Sequence, residues 1–181
     1  MSQPFDSTRD TRHPASGFTL IELLVSISII GLLLATGMPA FRSYGARVAL
    51  DNAAQAISQA VGQARTFALA PEADKAAAVT AYGLVFSSSA GQYIVTRFSE
   101  DQSTGAFRAV STVSANVLPS GIRFIQVPDQ IVFPIDGQGE PDRERLGEVG
   151  IVHDRLRTAN QRVITVAPVT GQVVITQGAT E

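Results

Sequence analysis

The sequence predicts an α+β protein, with a long N-terminal helix, first apolar and then amphipathic, packed on an antiparallel β-sheet or small sandwich. Three observations carry this. A 21-residue stretch from Phe18 to Met38 holds a single charge, Glu22. Apolar residues then recur at spacings of three and four, through Leu50, Ala53, Ala54, Ile57, Ala60, Val61, Ala64, Phe67 and Ala68. After Ala78 the chain changes to short runs rich in Val, Ile, Phe, Tyr and Thr, separated by Gly, Ser, Asn, Asp and Pro.

Taken in order, residues 1–17 (MSQPFDSTRDTRHPASG) are polar, carry two prolines and have no periodicity, so they read as an unstructured leader. The run 18–38 follows. At about 1.5 Å per residue a helix of that length spans about 30 Å, the hydrocarbon thickness of a bilayer. A membrane-spanning helix is therefore expected there. Arg42 and Arg47 lie just after it, and charge bias alone would put that side in the cytoplasm. Pro39 is expected to kink the helix, which resumes as an amphipathic segment over 39–70 and stops where Pro71 disfavours continuation. Its alanine-rich stripe suits close packing on a flat surface. Strands are expected at 79–86, 92–98, 107–113, 122–127, 130–134, 149–153, 162–167 and 172–176, the last two joined by a hairpin turn at Thr170 and Gly171. No second long helix and no repeat period is evident.

Composition narrows the chemistry. With 181 residues, 45% of them hydrophobic, the chain can bury a real core, and its net charge of -2 gives no global attraction for nucleic acid. It has no cysteine, which removes disulfides, thiolate metal sites and thiol nucleophiles. Lys75 is the sole lysine and sits in a polar loop, a poor place to desolvate an amine. His153 is the one histidine beyond the leader, in a strand-like run with no serine and acid motif around it. No Gly-rich phosphate loop occurs either. An enzyme is not expected, and no cofactor is implied.

The run GFTLIELLVSISIIGLLLATGMPAF, residues 17–41, resembles the N-terminal signature of type IV pilins and of the pseudopilins of type II secretion. Glycine is followed by phenylalanine, by a glutamate at the fifth place of the mature chain, and by a proline near the end of the span. The resemblance implies that a prepilin peptidase cuts between Gly17 and Phe18, that the new Phe18 amine is methylated, and that Glu22 serves assembly by pairing with a neighbouring subunit's N-terminal amine. It also implies a cytoplasmic leader and a translocated remainder, against the charge-bias reading. This leader is uncharged on balance, where family leaders are often basic.

Three further stretches, RVALDNAAQAISQAVGQARTFAL, QIVFPIDGQGE and RVITVAPVTGQVVIT, resemble the GspH/FimT family of minor pseudopilins and minor pilins. That family joins a helix ending in a QAR-like sequence to a strand with a Gly-containing turn and a final Thr-Gly hairpin. The implied organisation is a leader (1–17), a transmembrane and filament-core helix (18–38), an amphipathic continuation (39–70) and a periplasmic β-rich domain (71–181). The implied role is structural: an H-type subunit at or near the tip of a pseudopilus that supports protein export. Implied partners are other major and minor pseudopilins, the prepilin peptidase and the inner-membrane assembly platform, with the chain anchored as a single-pass inner-membrane protein. The alternative is a FimT-like minor pilin of a type IV pilus, serving pilus assembly, adhesion or DNA uptake.

Two weaker candidates come from charge clusters. The loop 134–148 holds Asp136, Glu140 and Asp142 near two glycines, an oxygen-rich arrangement of the kind that binds calcium, but without EF-hand spacing. Arg143, Arg145, Arg155, Arg157 and Arg162 fall within 20 residues and could hold phosphates. Asp142, Glu144, Glu148 and Asp154 are interleaved with them, and no basic residue follows Arg162. A solvated loop and no nucleic-acid partner are the expected outcomes.

Overall fold

The computed structural model describes residues 17–71, 79–156 and 160–178, with the backbone alone at 36–40 and 42. The chain divides into two compact units, residues 1–40 and 41–181. Helix α1 (Leu20–Leu69) contributes to both.

In the first unit, α1 is apolar on every side, and each residue from Gly17 to Ala35 is exposed. The hydroxyls of Ser26 and Ser28 donate back to the carbonyls of Glu22 (2.7 Å) and Leu24 (2.8 Å), so these polar groups need no outside partner. Among the described residues no helix is long and apolar enough to cross a membrane. The part of the apolar run with described side chains ends at Ala35, inside the expected 18–38 span. The kink expected at Pro39, the leader through residue 16, the Lys75 loop and Arg157 lie outside the described residues or side chains.

In the second unit the expected stripe is buried: Leu50, Ala53, Ala54, Ile57, Ala60, Val61, Ala64 and Ala68, joined by Ala46. Phe67 is partly buried against the same core. The five small alanines after Leu50 keep the contact face of the helix low, and all five are buried in the same core as Leu50, Ile57 and Val61.

Among the described residues eight strands follow: β1 (Ala81–Ser87), β2 (Gln92–Asp101), β3 (Ala106–Val117), β4 (Ile122–Gln126), β5 (Gln130–Pro134), β6 (Val149–His153), β7 (Arg162–Val166) and β8 (Val173–Gln177). They form two four-stranded sheets, ordered β3-β2-β1-β5 and β4-β6-β7-β8. Every pairing is antiparallel. Two sheets rather than one arise because β4 joins the second sheet while β5 returns to the edge of the first. Both present alternate residues to α1. Tyr82, Leu84, Phe86, Val95, Ile131 and Phe133 of one sheet, and Ile122, Phe124, Val149, Ile151, Ile164 and Val166 of the other, share one core with the helical stripe. Phe67 packs on Tyr82 with ring centroids 5.6 Å apart, and Phe86 meets Phe124 edge-on at 5.9 Å, tying the two sheets together.

All eight expected strands are present, but β2 and β3 run longer than the 92–98 and 107–113 expected. Glu100 and Asp101 pair with Phe107 and Ala106, and the neutral stretch Ser114–Val117 pairs with Val95–Gln92. Ladder pairing, not side-chain pattern, makes those ends extended. Asp101 closes the hairpin, accepting from the Ser103 amide (3.0 Å) and hydroxyl (2.6 Å). The second face of the first sheet carries its own small cluster, Ala81, Phe98 and Val132 with Val85 and Phe107.

Candidate functional site

The N-terminal site is built by a helix start. Gly17, Phe18 and Thr19 are non-helical and exposed, and α1 begins at Leu20. Thr19 supplies the cap: its Oγ1 accepts from the Glu22 amide at 3.3 Å, and its carbonyl accepts from the amides of Glu22 (3.1 Å) and Leu23 (3.2 Å). The sequence Thr-Leu-Ile-Glu is thus a capping-box pattern, with Glu22 in the first turn where a carboxylate complements the helix dipole. Local physics explains part of why an acid tolerates this place. The Gly17-Phe18 bond lies just outside the helix, in exposed backbone that an enzyme can reach. Among the described residues a Cβ added at Gly17 would meet nothing within 4 Å, so no packing there requires glycine.

The loop 134–148 is ordered by its own contacts. The Asp142 carboxylate accepts from the Glu144 amide at 3.1 Å and lies 3.3 Å from Arg145 Nη1. Asp136 and Glu140 are exposed, and among the described residues no three His, Cys, Asp or Glu side chains come together as a metal site. Asp142 is spent as a cap and an ion-pair partner. Calcium would have to displace both contacts.

Arg145 and Arg162 do not converge either. Arg145 reaches the carbonyl of Gly105 (3.3 Å) and lies over the Phe107 ring at 4.8 Å, on the second face of the first sheet. Arg162 points the other way and donates from Nε to Asp51 of α1 at 2.7 Å. Arg143 and Arg155 are exposed, and Arg157 lies outside the described residues. Of the four described, two are engaged with carboxylates, which lowers what they can offer to phosphates. His153 is buried, its Nδ1 accepts from the Arg155 amide at 3.1 Å, and Gly121 lies against its ring. This is a packed strand residue.

Two open grooves mark the second unit. One of about 470 Å³ is lined by Gln59 and Gln63 of α1 with Tyr93, Ser114 and Asn116. Another of about 350 Å³ is lined by Ile125, Gly150, Gln161, Val163 and Thr176. The groups along the larger one are amides and hydroxyls, able to hydrogen-bond, with no base beside Ser114. Burial also pushes the Tyr93 phenol up from its ordinary value, keeping it neutral.

Sequence reasoning missed one junction. The QAR of α1, the DGQG turn and the Thr-Gly hairpin meet in space, where Arg65 Nε donates to the carbonyl of Gly139 at 3.1 Å and Gly171 packs beside both. The signal was present in the two turn glycines, but nothing in the sequence pairs them.

A model of the prokaryotic N-terminal methylation motif matches residues 12–38. The chain therefore carries that motif, over the same stretch that forms the capped helix start. Comparison with curated protein sequences finds no match. Among solved structures, the chain is similar to a structure of the minor pseudopilin EpsH from the type 2 secretion system of Vibrio cholerae, with TM-score 0.48 and 12% identity, covering 71% of this chain and 96% of that one. A crystal structure of the same Vibrio cholerae pseudopilin gives TM-score 0.49 and 12% identity, covering 75% and 99%. Likeness at this level carries no argument about function.

Proposed function

We propose that this chain is a pilin-like structural subunit, cut between Gly17 and Phe18, methylated on the Phe18 amine and assembled through its apolar helix. One observation carries the reading: the methylation motif over 12–38 coincides with an exposed, non-helical Gly17-Phe18 bond and with Glu22 in the first turn beyond it. Residues 18–38 would first lie in the inner membrane, with the β-rich unit outside it. There each residue from Leu23 through Ala35 presents apolar surface or a back-bonded hydroxyl, which suits lipid. Glu22 stands near one end of the segment, where water and headgroups reduce the cost of a charge, about 2.5–3.5 kcal/mol at the centre by insertion scales. Assembly then exchanges lipid for neighbouring helices. Packing and the Glu22 to N-terminal amine pair set the register.

Within that class we assign the chain to an H-type minor pseudopilin of type II secretion, at or near the pseudopilus tip, with other pseudopilins, the prepilin peptidase and the assembly platform as partners. The helix stripe, the DGQG turn and the Thr-Gly hairpin support this, because they form one packed junction rather than three separate resemblances. Deleting the gene separates the readings. Loss of protein export with normal pili supports the secretion role; intact export with loss of pili assigns the chain to a type IV pilus instead.

A further inference from the structure

Strand β8 is one edge of its sheet, with β4 at the other. It pairs only with β7, through the register Arg162 with Gln177 to Val166 with Val173. From Pro168 to Gly178 one residue is buried, Gly171. Val174 and Ile175, which point to opposite faces, are both exposed. Few buried apolar contacts and a solvent-facing ladder are the marks of a segment that opens locally before the domain unfolds.

The segment's one buried residue sits against Arg65 and the Gly139 carbonyl, while Val173 packs on the core and the Gly178 amide donates to the Gln161 carbonyl (3.2 Å). Arg65 extends from α1 and donates to the Gly139 carbonyl at 3.1 Å. Gly139 (φ +81) and Gly171 (φ +62) both take the left-handed backbone that favours glycine. A Cβ on Gly171 would come 2.6 Å from the Gly139 carbonyl and 3.1 Å from Arg65 Nε; one on Gly139 would also come 3.1 Å from Arg65 Nε. Both glycines therefore serve the same purpose, letting two turns close on one guanidinium. The β7–β8 turn is also closed within itself, by the Gly171 amide to the Ala167 carbonyl (2.9 Å) and the Ala167 amide to the Gln172 carbonyl (2.8 Å). Docking can thus be lost without unmaking the turn.

We infer that Arg65 is a latch: it holds the β7–β8 turn against α1, and β8 opens from β7 as a unit when that contact is broken. Opening uncovers the ladder groups of β7, which only another strand can satisfy within a sheet. The device belongs to the second unit alone and does not depend on how the N-terminus is processed.

Amide hydrogen exchange on the full chain in detergent micelles tests it. With Arg65→Ala, amides of β8 and their partners in β7 are expected to exchange about tenfold faster, while those of β1, β2 and β6 keep their rates. Gly171→Ala reaches the same open state from the other side, since its Cβ collides with the Gly139 carbonyl and crowds Arg65 while leaving the guanidinium in the chain. It keeps the test valid if Arg65→Ala does not fold. Val174→Ala, a truncation of an exposed β8 side chain, is expected to leave every rate as it was. Selective acceleration at β7 and β8 in the first two variants supports the latch. Uniform acceleration across all strands, or unchanged β8 rates in Gly171→Ala, overturns it.

Discussion

The two halves of α1 are both rich in apolar residues, yet they solve opposite problems. In the first, Leu20, Ile27 and Leu34 are 81%, 61% and 60% exposed; in the second, Leu50, Ile57 and Val61 are at 0%. The difference lies in the pattern. The first half is apolar around its whole circumference, so no single sheet could cover it, whereas the second confines its apolar residues to one stripe that two sheets bury. The second half folds against its own chain. The first leaves its apolar surface exposed, and under the proposed function lipid or similar helices would cover it.

The strongest way to break this comparison is to delete the same atoms in both halves. Ile57→Ala is expected to destabilise the second unit by about 3 kcal/mol, read as a lowered midpoint in urea, because the cavity sits among residues of both sheets. Ile27→Ala is expected to leave that midpoint unchanged. Equal shifts would mean that the first half is packed by its own chain after all.

Next in size is Glu22→Ala. Leader cleavage is expected to stay largely intact while incorporation into filaments falls, as followed by shearing and immunoblotting. Normal incorporation would show that the carboxylate is not an assembly group. Glu22→Gln sharpens this, since it can keep the capping-box geometry without the charge. If Gln restores incorporation, the cap rather than the charge is what matters.

A smaller effect belongs to the Arg162 to Asp51 pair, which joins β7 to α1 at 2.7 Å. Asp51 is about half exposed, so solvent screens the pair. Asp51→Asn is expected to cost less than about 1 kcal/mol in the same urea experiment.

The smallest concerns the β2–β3 turn. The hydroxyl and amide of Ser103, with Arg108 nearby, hold the Asp101 carboxyl below its ordinary value of 3.8. A lowered value in the folded state means the turn gains from ionised Asp101 above pH 3.8 and loses that gain as pH falls through the folded value. The Ser103 amide resonance should therefore shift as pH falls below 3.8. A Ser103 resonance that does not move there would show that the carboxylate does not hold the turn.

Much of this architecture was legible in the sequence because periodicity reports burial directly. The stripe from Leu50 to Ala68 and all eight strands could be read that way. The ends of β2 and β3 could not: Glu100, Asp101 and Ser114–Val117 carry no alternation, and only cross-strand pairing makes them extended. The division into two sheets was also hidden, since it depends on β4 and β5 parting company, which local sequence does not encode. For the candidate sites the contrast is sharper. Gly17, Phe18 and Glu22 form a contiguous motif and are readable one by one. Arg65 and Gly139 are 74 positions apart, whereas Arg145 and Arg162, close in sequence, reach different partners, Phe107 of the first sheet and Asp51 of α1. Proximity in the chain misled there, and distance in the chain concealed a real contact.

Intact-mass spectrometry of the chain purified from its native cells tests the proposed cut between Gly17 and Phe18 most directly. The expected species begins at Phe18 and carries one added methyl group on its amine. A chain that retains residues 1–17, or one cut at any other bond, would contradict the account.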